Sequence, residues 1–285
     1  MGPIRLFRSL RSSRMGKKSV AQIFPSETIA DAMTLGIVNE KSTNVDADFL
    51  MPSLTKFGVE PPIKWSKIKK NMSETYPLFQ PRKGSVASFS GGMQTLVDAL
   101  VQQLDTFENV KFHFNQDISK PEEVATEHHV PHSSVIWCAP LDRANEEFTS
   151  LDVYVAGYHN NAVNEVQRGY GTLIPDEDIP ISGILHESDV HPSPRAPADH
   201  RLFRIMAPSS RSSSEEAVRT CLRQILTHSE PIMFKKIGTR KIPIYAPGYM
   251  SKLDMDREYT RAGWFYSGVS VTHIVAEAER IADLF

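Results

Sequence analysis

Hydrophobic positions change period along this chain, and the changes predict its elements. After Gly91-Gly92, the residues Met93, Leu96, Val97, Leu100, Val101 and Leu104 recur at helical spacing, which predicts a helix burying one face. Val110 to Phe114 then alternates as a strand does, and the apolar run Ser134 to Pro140 predicts a second strand ending at its proline. Val153 to Tyr158, Ile181 to His186 and Leu202 to Met206 read as further strands. A serine-capped helix is expected from about Ser214 to Thr227, an extended stretch from Ile232 to Tyr245, and a helix from Thr272 to Leu284. Residues 21–80 are weakly patterned: Ile29 to Ile37 suits a short helix, while Pro52, Pro61, Pro62, Pro77 and Pro81 break the rest. Strands therefore meander in the middle and helices flank the ends. No repeat is visible, and the serine-rich stretch Ser209 to Ser214 reads as a loop and helix cap.

Composition narrows the classes. At 285 residues the chain can form one large domain or two ordinary ones. A formal net charge of -2, with no interleaving of aromatic and basic residues, lacks the footprint of a nucleic-acid binder. Cys138 and Cys221, far apart in sequence, read as reduced buried thiols. Arg5, Arg8, Arg11, Arg14, Lys17 and Lys18 precede the first acid, Glu27, with serines among them. That composition fits an organellar transit peptide or a basic tail. No stretch approaches the roughly 20 apolar residues that span a bilayer, so membrane contact would be peripheral.

Most candidate chemistry has an ordinary structural explanation. His128, His129 and His132 have metal-like spacing, but adjacent histidines diverge and no further ligand completes a pattern, so a surface loop is expected. There is no GxSxG elbow for a nucleophilic serine. Asp176, Glu177 and Asp178 read as a solvated turn rather than paired acid and base. Gly169 to Pro175 differs, placing two glycines and Tyr170 before an apolar strand, where backbone can approach a flat ligand. Ala262-Gly263-Trp264-Phe265-Tyr266-Ser267-Gly268-Val269-Ser270-Val271 running into a helix suggests the closing part of a dinucleotide-binding fold. None of the fifteen glycines forms the opening GxGxxG; in the nearest candidate, Gly169-Tyr170-Gly171, Ile174 stands at the third position.

Taken in order, these segments resemble the protoporphyrinogen oxidase family of the flavin amine oxidoreductases. Phe89 to Leu100 is similar to the family's glycine pair and following helix. Gly169 to Pro175 and Ile181 to Ser188 are similar to its substrate-domain strands. Ile242-Pro243-Ile244-Tyr245 with Gly248, Tyr249 and Leu253 resembles its Pro-x-Tyr segment, and Ala262 to Val271 its C-terminal flavin segment. The resemblance covers about Ser85 to Leu284. It implies FAD-dependent oxidation of protoporphyrinogen IX to protoporphyrin IX with oxygen as acceptor, in haem synthesis, in which the cofactor carries the chemistry and the protein positions two flat systems. By matching position, Tyr170, Gly171, Leu173, Leu185, Met206 and Ile242 would line the tetrapyrrole pocket. Ile118 would touch the adenine side of FAD, and Gly268, Val269, Ser270 and Val271 the isoalloxazine, with the last helix directing its N-terminal dipole there. No catalytic residue and no metal are implied. The family's usual place is the mitochondrial inner membrane, peripherally bound, and a homodimer is compatible with the pattern.

The fold class implied is α+β to α/β: a partial FAD-binding Rossmann-like domain carrying an inserted antiparallel-sheet substrate domain. The expected divisions are 1–80, a basic and weakly patterned segment; 81–140, part of the FAD-binding domain; 141–240, the substrate domain; and 241–285, the return to the FAD-binding domain. The family's glycine-rich turn, ribose-binding acid and early propionate-pairing arginine have no counterpart. Its Glu-Ser-Gly reads Ala276-Glu277-Ala278, a glutamine is replaced by Ile244, and the strand before Ala262 is short and charged, Asp256 to Tyr259. An amino-terminally truncated representative is expected. A non-catalytic porphyrin-binding or interaction descendant, and a flavin-dependent amine oxidase, are the alternatives.

Overall fold

A computed structural model describes residues 17–24, 26–52, 89–139, 147–191, 194–211, 214–253 and 259–285. The transit-peptide reading of the first sixteen residues, the prolines at 61 to 81 and the charged run 256–258 lie outside these.

The centre of the molecule is a five-stranded sheet ordered β3-β4-β5-β2-β6, every neighbour antiparallel. Its strands are β2 Phe148–His159, β3 Gly171–Leu173, β4 Gly183–Leu185, β5 His200–Pro208 and β6 Met233–Pro243. The strands expected within Val153 to Tyr158, Ile181 to His186, Leu202 to Met206 and Ile232 to Tyr245 are present here, and β2, β5 and β6 form a longer hairpin-like spine than alternation alone marked. Nine residue pairs join β2 to β5, while β6 follows β2 with a bulge opposite Val153 and Tyr154.

Alternation gives the sheet two faces. One carries Tyr154, Ala156, Tyr158, Ile184, Phe203, Ile205 and Ala207, all buried. The helix Glu215–Ile225 covers that face with Val218, Cys221 and Leu222. Its sequence explains it: Ser214 Oγ accepts the Ala217 N–H, Glu215 and Glu216 sit in the first turn and Arg223 in the last, so cap and dipole agree. Each large apolar side chain enclosed here contributes about 1.5–3 kcal/mol.

A small helical layer forms a second core. It contains the helices Val20–Ile23, Glu27–Val38 and Ala47–Leu50, with Val20, Ile23, Val45, Phe49 and Tyr245 buried together. The expected helix near Ile29 to Ile37 is the second of these. It ends at Asn39, whose left-handed backbone stops it and whose Nδ2 donates to Thr149 Oγ1 at 2.9 Å, tying the layer to β2. Asp46 is fully buried and accepts the N–H groups of Asp48, Phe49 and Gly248, so one carboxylate fixes a helix start and a distant loop. Burial pushes its pKa up, against the pull of those hydrogen bonds.

The remaining elements are Gln94–Leu104, Pro121–Glu127, a two-stranded parallel sheet of β1 Ile136–Trp137 and β7 Thr260–Arg261, and the helices Trp264–Ser267 and Val271–Ala282. Three expectations are corrected here. The helix after Gly91-Gly92 forms, but none of its residues is buried, and Val97, Leu100, Val101 and Leu104 are exposed. Periodicity fixes which side of a helix is apolar, not whether another element covers it. Val110 to Phe114 forms no strand, since it has no ladder partner among the described residues, and Phe114 is exposed. Cys221 is buried as expected, but Cys138, at the end of a two-residue strand, is exposed.

Candidate functional site

The sheet face opposite the main core carries most of the expected substrate residues. Cross-strand pairing arranges this face in rows. Leu173 opposes Gly183, which opposes Met206, then Val153 and Gly238. The neighbouring row runs Gly171, Leu185, Arg204, Val155 and Lys235. Gly171, Leu173, Leu185 and Met206 therefore form one contiguous patch. Ile242 follows on the same face, opposite Thr149, and packs against the helical layer near Tyr245 and Trp264. Tyr170 is one residue out of phase with Gly171 and Leu173. It is 60% exposed, lies outside the ladder and contributes its carbonyl to the His186 N–H.

Glycines make the patch flat. A Cβ on Gly171 would run into the carbonyl oxygen of Ile184, so only glycine lets β3 lie this close to β4. A Cβ on Gly183 would sit 2.8 Å from the Met206 methyl, which occupies that space. Helix Glu27–Val38 roofs one corner, where a Cβ on Gly36 would stand 2.9 Å from Leu173 Cδ2. Leu173 is still 43% exposed, so the roof is partial.

A buried ion network holds one end of this sheet. Asp189 meets Arg201 Nη2 at 2.6 Å and Arg168 Nη1 at 3.3 Å, with His186 Nδ1 at 3.4 Å. Glu187 meets Arg204 Nε at 3.0 Å and His191 at 3.1 Å. Desolvation pulls the His186 pKa down, outweighing Asp189. At the other end, Arg211 donates to the carbonyls of Ile174, Pro175, Asp176, Ile179 and Ile181, pinning the loop that follows β3. A polar cavity of about 730 Å³ opens beside that loop, between Asn39, Lys41, Ser150, Glu177 and Arg211. None of the six expected substrate residues lines it. Lys41 and Glu177 form an ion pair at its rim.

The expected flavin segment is a glycine-bounded turn before a helix. Gly263 and Gly268 both have positive φ, 106° and 95°, which favours glycine. Ser270 Oγ accepts the His273 N–H at 3.0 Å and starts the helix at Val271, one residue before the expected position. Gly268 is buried: a Cβ there would meet Phe49 O and Pro52 Cγ at 2.7 Å, so its smallness serves packing against helix Ala47–Leu50. Val269 and Ser270 are half-buried and Val271 is 48% exposed. Ile118 is half-buried, outside any helix or ladder. The turn and capped helix suit one end of a dinucleotide. The pyrophosphate end has no glycine-rich turn in this sequence, so the residues present fit FAD only in part.

His128 and His129 lie on an exposed turn and His132 opens a short 3-10 helix with its ring stacked on Tyr259, and no group of metal-ligating residues occurs among the described residues. Asp176 accepts the Asp178 N–H in an exposed turn, as expected of a solvated charge run. No described helix is long and apolar enough to cross a membrane. Cross-strand pairing adds Arg204, Val153, Val155, Lys235 and Arg240 to this face, Arg240 opposite Leu151. Arg204 and Arg240 were legible, lying two residues from Met206 and Ile242 on their strands; Lys235 was hidden by the bulge between Gly238 and Lys236, which shifts the phase of alternation.

No protein-family profile and no curated protein matches the chain. Among solved structures, a reduced UDP-galactopyranose mutase is 13% identical, with 99% of this chain and 72% of that one aligned at a TM-score of 0.57. A putrescine oxidase triple mutant redesigned in cofactor binding is 11% identical, over 98% of this chain and 72% of that one, at 0.52. A candidate protoporphyrinogen oxidase from Exiguobacterium sp. 255-15 is 14% identical over 93% of this chain, at 0.48; the chain spans 65% of its length. The mutase and putrescine oxidase likenesses give the fold. It is part of the FAD-binding amine oxidase-like fold, with an antiparallel sheet beside a fragment of the dinucleotide-binding layer.

Proposed function

We propose that this chain is the substrate-binding and flavin-end portion of an FAD-dependent oxidoreductase that oxidises protoporphyrinogen IX to protoporphyrin IX with oxygen as acceptor. The observation that carries the reading is the alignment of Gly171, Leu173, Leu185 and Met206 in two adjacent rows of one sheet face. Glycines replace side chains at alternate points there, giving a shallow apolar floor of the kind a macrocycle can lie on. FAD, when bound, would accept the hydride; this chain's own residues would hold the ring flat and keep water from it. The fold likeness supports a flavoprotein, and the order of the matched segments favours the tetrapyrrole over an amine.

A second reading, porphyrin binding without turnover, is favoured by the burial of Gly268 against Phe49 and Pro52, where the resemblance expects a cofactor contact. Purifying the chain with added FAD and recording the flavin absorbance bands separates the two. Retained flavin, with protoporphyrinogen turned over in air, supports the oxidase. A colourless, folded protein that still binds protoporphyrin IX supports the binding module. Retained flavin with oxidation of an amine instead would overturn the tetrapyrrole assignment.

A further inference from the structure

The apolar sheet face has a cationic margin that the floor itself does not require. Row by row, β6 ends the face with Lys235 beside Val155, Gly238 beside Val153 and Arg240 beside Leu151. Gly238 leaves a gap, and Arg240 fills it: its Nη1 lies 3.5 Å from where a Cβ on Gly238 would stand. The guanidinium is therefore folded over the same row that holds Leu173 and Met206. Other cations nearby are already engaged. Arg204 is paired with Glu187, and Lys236, on the opposite face, with Asp152 at 2.7 Å. Lys235 and Arg240 are exposed and have no ion-pair or hydrogen-bond partner among the described residues.

We propose that Arg240 and Lys235 determine specificity by pairing with the carboxylates of a flat apolar ligand lying on this face. The inference rests on the reading of the face as a tetrapyrrole surface, and it commits the ligand to being an amphipathic dicarboxylate. Val155 and Leu151, the partners of the two cations, are four residues apart, about 13 Å along the strand. Long side chains close that span, so two acid groups on one edge of a macrocycle reach both cations while its apolar body covers the partly exposed Val155 and Met206. A guanidinium offers a carboxylate two parallel N–H donors, and a lysine ammonium adds a second positive charge. Charges on an edge strand also discourage strand addition, a role served by any charge on either face.

The test is a fluorescence titration of the purified chain with protoporphyrin IX and with its dimethyl ester, which keeps the macrocycle and removes both charges. The expected result is that the diacid binds at least about tenfold more tightly than the diester and that added salt erodes this preference. Lys235→Glu with Arg240→Glu should abolish the preference while leaving diester binding intact. Lys235→Arg with Arg240→Lys should keep it. A double charge reversal that retains the diacid preference overturns the inference. If Leu173→Arg abolishes binding of both porphyrins in that case, the tetrapyrrole surface stands and only its carboxylate reading falls. Failure of the unmodified chain to bind either porphyrin overturns both. Unchanged circular dichroism shows that the exposed-site variants are folded.

Discussion

Two helices of eleven residues each, Gln94–Leu104 and Glu215–Ile225, have the same apolar periodicity and opposite fates. The second buries Val218, Cys221 and Leu222 against the five-stranded sheet; the first buries nothing. The contrast extends to the regions around them. Twelve buried residues form the core of the sheet, against three, Ala125, Val135 and Tyr259, in the cluster beside β1 and β7. A helix this short is marginal in water without tertiary packing. Stability is therefore concentrated in the five-stranded sheet and the helical layer beside it, while the elements around Gln94–Leu104, β1 and β7 rest on a small cluster, local hydrogen bonds and caps. An amphipathic helix establishes a demand for a partner, and only the rest of the fold decides whether it is met.

The two cysteines report on the two regions directly. Cys221 is 5% exposed in the sheet core and Cys138 is exposed beside β1; desolvation raises both thiol pKa values. With a chromogenic disulfide reagent, Cys138 should react first, and Cys221 should lag by a factor of roughly 10³ or more because it opens only with the core. Equal rates would erase the distinction. The next largest effect is on stability. Phe203→Ala, at a fully buried side chain, should cost about 3–5 kcal/mol in urea unfolding, whereas Leu100→Ala should change it by less than about 0.5 kcal/mol. A cost above about 2 kcal/mol for Leu100→Ala would mean that this face is covered in solution.

The two regions also differ in how legible they were. Strand alternation in Val153 to Tyr158 and Leu202 to Met206 placed the sheet because each strand found its neighbour, and the Ser214 cap placed its helix. Val110 to Phe114 alternates just as well and forms no strand, since pairing depends on a second segment that a local pattern does not contain. At the candidate site, Leu173, Leu185 and Met206 came from family order and fell on one face. Arg240 was within reach, two residues from Ile242 on the same strand, whereas Lys235 was not, because the bulge between Gly238 and Lys236 resets the phase of β6. Gly268 packs against Phe49, a contact between residues over two hundred positions apart that no local pattern contains.

Smaller effects test the local devices that each region uses. Ser270→Ala should cost about 1 kcal/mol, since it removes the acceptor for the His273 N–H, and Ser270→Asp should restore it. If the alanine variant is neutral, the cap is not what starts the last helix. In the sheet, burial lowers the folded pKa of His186 below 6.5, so the unfolded chain binds its proton more readily. Stability from this group is complete above pH 6.5 and is lost as pH falls toward the lowered folded value. Urea midpoints compared at pH 7.5 and pH 5 should fall less steeply for His186→Gln than for the unmodified chain. If His186→Gln leaves the pH profile unchanged, desolvation of that imidazole has no thermodynamic consequence for the sheet.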